Sequence, residues 1–413
     1  MGDQAVIEIE KMVYGGDGLG HLEDGRAVFV PFVMPGEKAL VNLTEVSGRF
    51  ARAELQELLS ASAQRVTPPC PHFGVCGGCH YQHMSATAQA QTKLEILGDQ
   101  LQRIAHLANP PLRGIVSGKQ QFHYRNQLQF HPGPDGSLAF MDLRGSQPVK
   151  IQECLLGMAG ISEIWPQIDL GQGLELKRVI LREDSFGEVM LILEDDGFEA
   201  PELEVDLPIS VAYQGADGHA LTLAGTDRLS YLIEGREFTV SPESFFQVNP
   251  EIASALVQRV LQLTAPTSPS RVVELYSGVG LFSAFLAGAA GALTAIESSP
   301  SACFDFALNL EAFENVSLYE GAVERILPAL VPEQLQPDVV VLDPPRAGLH
   351  PAAREALLKL QPAAIAYVSC DPSTLARDLK AITGSGYELA SVEVFDMFPQ
   401  TYHLESLSYL QRK

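Results

Sequence analysis

Among the side chains able to do covalent chemistry, one thiol is placed best: Cys370, in the run Ile365-Ala366-Tyr367-Val368-Ser369-Cys370-Asp371-Pro372. The apolar, partly β-branched residues 365–368 read as a buried strand. Asp371 offers an N-cap and Pro372 an N1 residue for a helix through Leu379 to about Thr383, with Gly384 at its end. A cysteine at such a hand-over sits on the carboxyl edge of an open parallel sheet, where ligands bind. The adjoining helix N-terminus is expected to favour the thiolate, the nucleophilic form. The bland alternative is a small apolar residue filling a strand end, and other motifs must decide.

Three more thiols fall within ten residues, in Cys70-Pro71-His72-Phe73-Gly74-Val75-Cys76-Gly77-Gly78-Cys79, with Cys154 the distant fourth. The spacing C-x5-C-x2-C, with glycines that let the backbone fold round a centre, suits a tetrahedral sulfur site. Zinc and an iron–sulfur cluster both fit that donor set, and His72 and His80 keep a Cys3His zinc site open. Such uneven spacing points to metal or catalysis rather than disulfides. Cys303, in an expected helix, reads as core.

A second edge motif is Val273-Glu274-Leu275-Tyr276-Ser277-Gly278-Val279-Gly280, a G-x-G turn straight after a strand. The third glycine of the dinucleotide fingerprint is absent, since position 283 is Ser. About 20 residues on, Glu297 closes the next strand, where an acid can hydrogen-bond ribose hydroxyls. A short glycine turn with an acidic second strand suits S-adenosylmethionine better than NAD. A third motif, Val341-Leu342-Asp343-Pro344-Pro345-Arg346, sets an acid on a stiff loop beside the same crevice. Methyltransferases acting on exocyclic amines usually end a related loop in an aromatic residue, so Arg346 points to different chemistry.

The elements that must position these residues follow from the chain's 413 residues, enough for two or three domains. Residues 4–59 alternate strand-like runs with Gly, Pro and Asp turns and read as a small OB-like β-barrel, a fold that often binds oligonucleotides. Its glycine cluster at 15–20 lacks the strand-to-helix context of a phosphate loop. Residues 86–108 read as a helix. From 122 to about 247, short strands alternate with turns at 131–136, 195–197 and 217–218, giving a β-rich middle domain. After Pro250, strand-like and helix-like runs alternate in the βαβα pattern of a doubly wound, Rossmann-like parallel sheet, so the chain is α/β overall. Expected domains are 1–62, 63–245 and 246–413.

The formal charge of −23 argues at first against nucleic acid. Residues 103–150, however, hold Arg103, Arg113, Lys119, Arg125, Arg144 and Lys150 against Asp135 and Asp142 alone. A basic stretch in an acidic chain is compatible with RNA over a limited footprint. Seven acids in 194–206 read as a solvated face. No apolar run approaches the ~20 residues of a bilayer helix, so a cytoplasmic protein without membrane contact, and a monomer, is expected.

Taken in order, six features resemble the RNA 5-methyluridine (uracil-C5) methyltransferases. They are the four cysteines, Ser244-Phe245-Phe246-Gln247-Val248-Asn249, Glu274–Gly280, Asp343–Arg346, Ser369–Pro372, and Phe398-Pro399 with His403-Leu404-Glu405. The closest likeness is to the iron–sulfur branch that modifies 23S ribosomal RNA, and residues 1–60 resemble its RNA-binding TRAM barrel. The resemblance covers essentially the whole chain. It implies a class I methyltransferase domain, with Cys370 as nucleophile and Glu405 as general base. It further implies S-adenosyl-L-methionine held by Gln247, Tyr276, Glu297 and Asp343, and a [4Fe–4S] cluster on Cys70, Cys76, Cys79 and Cys154. Leu281, where Asn is frequent, and Ala322, where some members place a polar cofactor contact, depart from the pattern and are left out of the site.

The chemistry explains the residue types independently. Uracil C5 is a poor nucleophile until a thiolate adds at C6 and turns C5 into an enolate carbon. After methylation the C5 proton must leave before sulfur can, which needs a positioned base. Transfer RNA T-loop uridine is the alternative substrate. A non-catalytic RNA-binding module and a small-molecule methyltransferase are the readings from other classes.

Overall fold

The computed structural model describes residues 3–413 except 134, 172–173, 175, 268–269 and 332–334; Pro134, in the turn expected at 131–136, thus lies outside the described residues. The first 60 residues form a six-stranded sheet in the order Gln4–Glu8, Lys38–Val46, Phe50–Ser60, Ala27–Val30, Gly18–His21, Lys11–Met12. Alternating residues (Ile7, Val28, Val30, Val41, Ala51, Ala53) fill its core. Three register shifts along the long central pair bend the sheet around that core. The glycine cluster makes the crossing possible. A Cβ on Gly18 or Gly20 would run into Val33 and Ile7, so these glycines serve packing.

The middle of the chain builds a seven-stranded sheet, antiparallel except where Val189–Glu194 runs parallel to Ser210–Gln214. Its central strand Arg178–Glu183 is buried on both faces. Val179 and Leu181 face the middle core, while Ile180 faces the core of the following domain. A hairpin, Leu229–Ile233 with Arg236–Val240, leads into the helix Pro250–Thr264.

The C-terminal sheet has eight strands in the order Val316–Glu320, Ala292–Glu297, Arg271–Leu275, Val339–Leu342, Ala364–Ser369, Glu405–Arg412, Tyr387–Phe395, Leu112–Val116. The first five are parallel to one another. Glu405–Arg412 is antiparallel to both its neighbours, so the all-parallel expectation needs this one reversal. Strand order turns back between Arg271–Leu275 and Val339–Leu342, the place where open sheets bind ligands. The edge strand Leu112–Val116 and the helix Ala86–Arg103 come from far upstream. Ile96, Leu97 and Leu101 of that helix share a core with Leu375, Leu379 and Ile382. Among the described residues no helix is long and apolar enough to cross a membrane.

Candidate active site

Cys370 follows the fully buried strand Ala364–Ser369, and Asp371 caps the helix Pro372–Thr383 by accepting from Ser373 N (3.0 Å) and Thr374 N (2.8 Å). The antiparallel register pairs Ser369 with Ser406, and Ser406 Oγ donates to Ser369 O (3.1 Å). The next step outward on each strand sets Cys370 beside Glu405. Glu405 is 4% exposed, and its Oε1 is buried with no hydrogen-bond partner among the described residues. Asp343 stands at the tip of the neighbouring strand, its N–H donating to Leu275 O (3.3 Å). Arg346, three residues on, is exposed, and its carbonyl accepts from Thr374 Oγ1 (2.9 Å).

The glycine turn is drawn tight. Tyr276 takes a left-handed φ of 62°, costly for a non-glycine residue. Its N–H and that of Ser277 both donate to Ile296 O (2.9 and 3.2 Å). Glu297 accepts from Gly278 N (2.8 Å) through Oε2 and from Ser298 N (2.6 Å) and Ser299 N (2.8 Å) through Oε1. The acid therefore shapes the turn. Glu274, buried in the preceding strand, accepts from Ser283 Oγ and was given no role from sequence. An isolated acid inside the apolar run Val272–Leu275 was the available signal.

Gln247 is buried, and its carbonyl accepts from Asn126 Nδ2 (3.0 Å). Phe246 stacks on Tyr231 with centroids 4.5 Å apart, whereas Phe245 is exposed. Asn249 caps the helix that follows and reaches Met397 O with Nδ2 (3.4 Å). Loop 396–404, which delivers His403 and Glu405, is held at many points. Lys93 Nζ donates to Asp396 Oδ1 (2.6 Å) and Phe398 O (2.9 Å). Tyr124 Oη donates to Pro399 O (2.9 Å), and the N–H groups of His80 and Tyr81 both donate to Gln400 O (2.9 Å each). His403 lies between Tyr402 and Phe398, and burial with nearby cationic side chains lowers its pKa to about 3, so it is neutral.

Residues 226–413 match the family model for tRNA (uracil-5-)-methyltransferase, and residues 2–56 match the TRAM domain. Over its whole length the chain is 34% identical to an uncharacterized RNA methyltransferase of Streptomyces avermitilis, covering 99% of that protein. It is 32% identical over 98% of its length to another from Aquifex aeolicus, again covering 98% of the relative. Its architecture matches the solved Pyrococcus abyssi tRNA (uracil-54, C5)-methyltransferase in complex with S-adenosyl-L-homocysteine. That match has a TM-score of 0.75 at 25% identity, spanning 99% of this chain and 100% of the other. The chain belongs to the RNA (uracil-5-)-methyltransferase family. It is accordingly a class I, S-adenosylmethionine-dependent enzyme acting on RNA, with a TRAM domain at its N-terminus.

For such a methyltransferase the electrostatics of the free site run against the thiolate expected from the helix N-terminus. Burial first, then the negative charge of Glu405 and Asp343, pushes the Cys370 thiol up to about 12, with Arg346 pulling the other way. A helix terminus contributes only about 0.3–1 kcal/mol, too little to offset desolvation beside two carboxyls. Burial also raises Asp343 and lifts Glu405 well above the ordinary carboxylate range, and Glu274 rises to about 8. A cationic cosubstrate entering this acid cluster favours the ionised form of every member.

The four cysteines, none of them disulfide-bonded, line one cavity with His72, Phe140 and Arg125. Among the described residues no three His, Cys, Asp or Glu groups stand close enough to hold a single metal ion. His80 packs against Tyr402 (4.6 Å) instead of lining the cavity, which leaves a Cys3His site through that residue without support. Arg125 is not an open surface charge. It is half-buried between this cavity and the Phe398 ring, 6.0 Å from the ring centroid. Arg103, Arg144 and Lys150 pair with Asp99, Glu54 and Asp135, and exposed Arg113 and Lys119 carry the stretch's remaining positive charge. Cys303 is buried and donates to Glu297 O (3.5 Å). Leu281 is buried, and Ala322 begins the helix Val323–Leu330 without a side-chain cap.

Proposed function

We propose that this enzyme methylates a uridine of 23S ribosomal RNA at C5 through a covalent bond between Cys370 Sγ and C6, with Glu405 as the general base. The observation that carries the covalent mechanism is the register step that sets Cys370 beside Glu405, a buried carboxyl whose Oε1 has no hydrogen-bond partner among the described residues. S-adenosylmethionine supplies the methyl group and a sulfonium charge. Arg346 and that charge oppose the effect of Asp343 and Glu405 on the thiol, so Cys370 and Glu405 release their protons to solvent as the ternary complex forms. Sulfur adds to C6, C5 takes the methyl group from the sulfonium as S-adenosylhomocysteine departs, and Glu405 accepts the C5 proton as the carbon–sulfur bond breaks. Free thiolate and 5-methyluridine result, with one proton left on Glu405.

Gln247, Tyr276, Glu297 and Asp343 would hold the cosubstrate. Asp343 faces the acid-rich centre of the site, and Glu297 fixes the glycine turn under the ligand. The four thiols would hold a [4Fe–4S] cluster. Four thiolates lining one cavity are the donor set of such a cluster, and a methyl transfer needs no electrons, so the role is structural. Transfer RNA is the second reading, favoured by the full-length likeness to the Pyrococcus abyssi enzyme. Incubation of 23S ribosomal RNA and of transfer RNA, both lacking 5-methyluridine, with methyl-labelled S-adenosylmethionine separates the two. Mass mapping should find label at one 23S uridine; label in transfer RNA alone would reverse the assignment.

A further inference from the structure

The loop that delivers Glu405 joins two antiparallel strands whose last paired residues are Phe395 and Glu405. Glu405 thus occupies the closing pair of a hairpin, the place that frays first when the loop is loose. Gln400 stands midway along that loop and holds a left-handed φ of 71°, a conformation that glycine would adopt without cost. A glutamine there gains an amide, and Gln89, on the helix Ala86–Arg103, pairs with it reciprocally. Gln89 Nε2 donates to Gln400 Oε1 (3.0 Å), and Gln400 N donates to Gln89 Oε1 (2.9 Å). Gln89 Nε2 also donates to Met84 O (3.1 Å), which fixes the amide plane. Gln400 Nε2 donates to Gln121 O (3.3 Å), and Gln400 O accepts from His80 N and Tyr81 N. All four polar atoms of Gln400 are therefore engaged, with Gln89 1% and Gln400 4% exposed. Two residues on, Tyr402 packs against His80 and against Tyr14 of the N-terminal barrel, ring centroids 4.6 and 5.5 Å away.

We propose that Gln400 is a positioning residue: clamped by Gln89, it keeps the loop in its strained form and so holds Glu405 in place for the C5 proton. The proposal rests on the role given to Glu405 above. A strained residue persists only where its surroundings over-determine it, and here segments around 80, 89 and 121 do so together. Glu405 Oε1 has no hydrogen-bond partner among the described residues, so the loop has to set where that oxygen lies. With Gln400 released, the enzyme should still bind its cosubstrate and let Cys370 add to C6, because those groups lie on other elements. Removal of the C5 proton, the step that needs Glu405, should be the one that suffers.

The test is a single-turnover reaction of the full-length protein with methyl-labelled S-adenosylmethionine and a mixture of 23S ribosomal RNA and transfer RNA, both lacking 5-methyluridine. Denaturing gels follow how fast the labelled protein–RNA adduct forms and how fast it decays. Gln400→Gly removes the amide in a residue at ease with the left-handed φ, and Gln400→Met keeps the volume without the amide bonds. Both should prolong the life of the adduct roughly 10- to 100-fold, the cost of a misplaced catalytic group, with adduct formation and S-adenosylmethionine affinity unchanged. Gln89→Met, which withdraws the same pair from the other side, should prolong it too. A merely structural defect would slow adduct formation and weaken cosubstrate binding without lengthening the life of the adduct. That pattern, or a wild-type lifetime in both Gln400 variants, would overturn the proposal. Glu405→Gln, run alongside, separates the failures. If it accumulates adduct and the Gln400 variants do not, Glu405 keeps its role and Gln400 loses its own; if it accumulates none, the reading of Glu405 falls and this proposal with it.

Discussion

Replacing Lys93 with Met tests how the loop that carries the base is held. Lys93 Nζ lies 2.6 Å from Asp396 Oδ1, and the two side chains are 0% and 3% exposed. The same ammonium donates to Phe398 O at 2.9 Å. Removing it leaves a buried carboxylate without its counter-charge, which costs about 3–5 kcal/mol. An exposed pair would cost no more than about 1 kcal/mol. The lost bond to Phe398 O lies within the same network, so its contribution does not add independently. Urea unfolding followed by far-UV circular dichroism should show the larger figure. Lys93→Met with Asp396→Leu should recover most of it, because an apolar pair of similar volume is often neutral at such a site. Methyl transfer should fall in the single variant while S-adenosylmethionine binding persists, since Gln247, Tyr276, Glu297 and Asp343 lie on other elements. A cost below about 1 kcal/mol for Lys93→Met would refute the claim that this ion pair anchors the loop.

Burial and neighbouring carboxyls raise both the Cys370 thiol and the Glu405 carboxyl in the free enzyme, and both act deprotonated, so kcat/KM for RNA methylation should climb with rising pH. While one group limits, the climb is close to tenfold per pH unit, and a plateau already reached below neutrality would contradict the assignment. Anaerobically purified protein should be brown, with about four irons per chain; stoichiometric zinc without iron would remove the cluster. RNA affinity should fall with salt, and Arg113→Glu with Lys119→Glu should weaken binding and flatten the slope by about one unit per lost phosphate contact. Unchanged affinity in that variant would move the footprint elsewhere.

Local signals carried far into this fold. Asp371 and Pro372 placed the helix after Cys370, and the Gly278-Val279-Gly280 turn and Glu297 close adjacent parallel strands as expected, because caps and glycine turns are decided by neighbouring residues. Contacts made at long range were not legible. Leu112–Val116 is short and contains Gly114, yet it closes a sheet whose adjacent strand begins at Tyr387. Arg125 read as one more surface charge in a basic stretch and proved to be an interior wall of the cysteine cavity. The ionisation of Cys370 was misjudged for the same reason. The helix terminus is visible in sequence, whereas Glu405 and Asp343 reach the thiol only through strand order. Tyr14 carried no signal at all, since its ring partner Tyr402 lies more than 350 residues away.

The central claim is that sulfur bonds to C6 first and that Glu405 acts only after the methyl group has moved. Glu405→Gln should therefore form the carbon–sulfur bond, accept the methyl group on C5 and stall before elimination. Incubated with RNA and methyl-labelled S-adenosylmethionine, then run on a denaturing gel, that variant should migrate as a labelled protein–RNA adduct. Cys370→Ala should bind the cosubstrate yet give neither adduct nor 5-methyluridine. Substantial uridine methylation by Cys370→Ala, or no labelled adduct from a folded Glu405→Gln, would contradict the account.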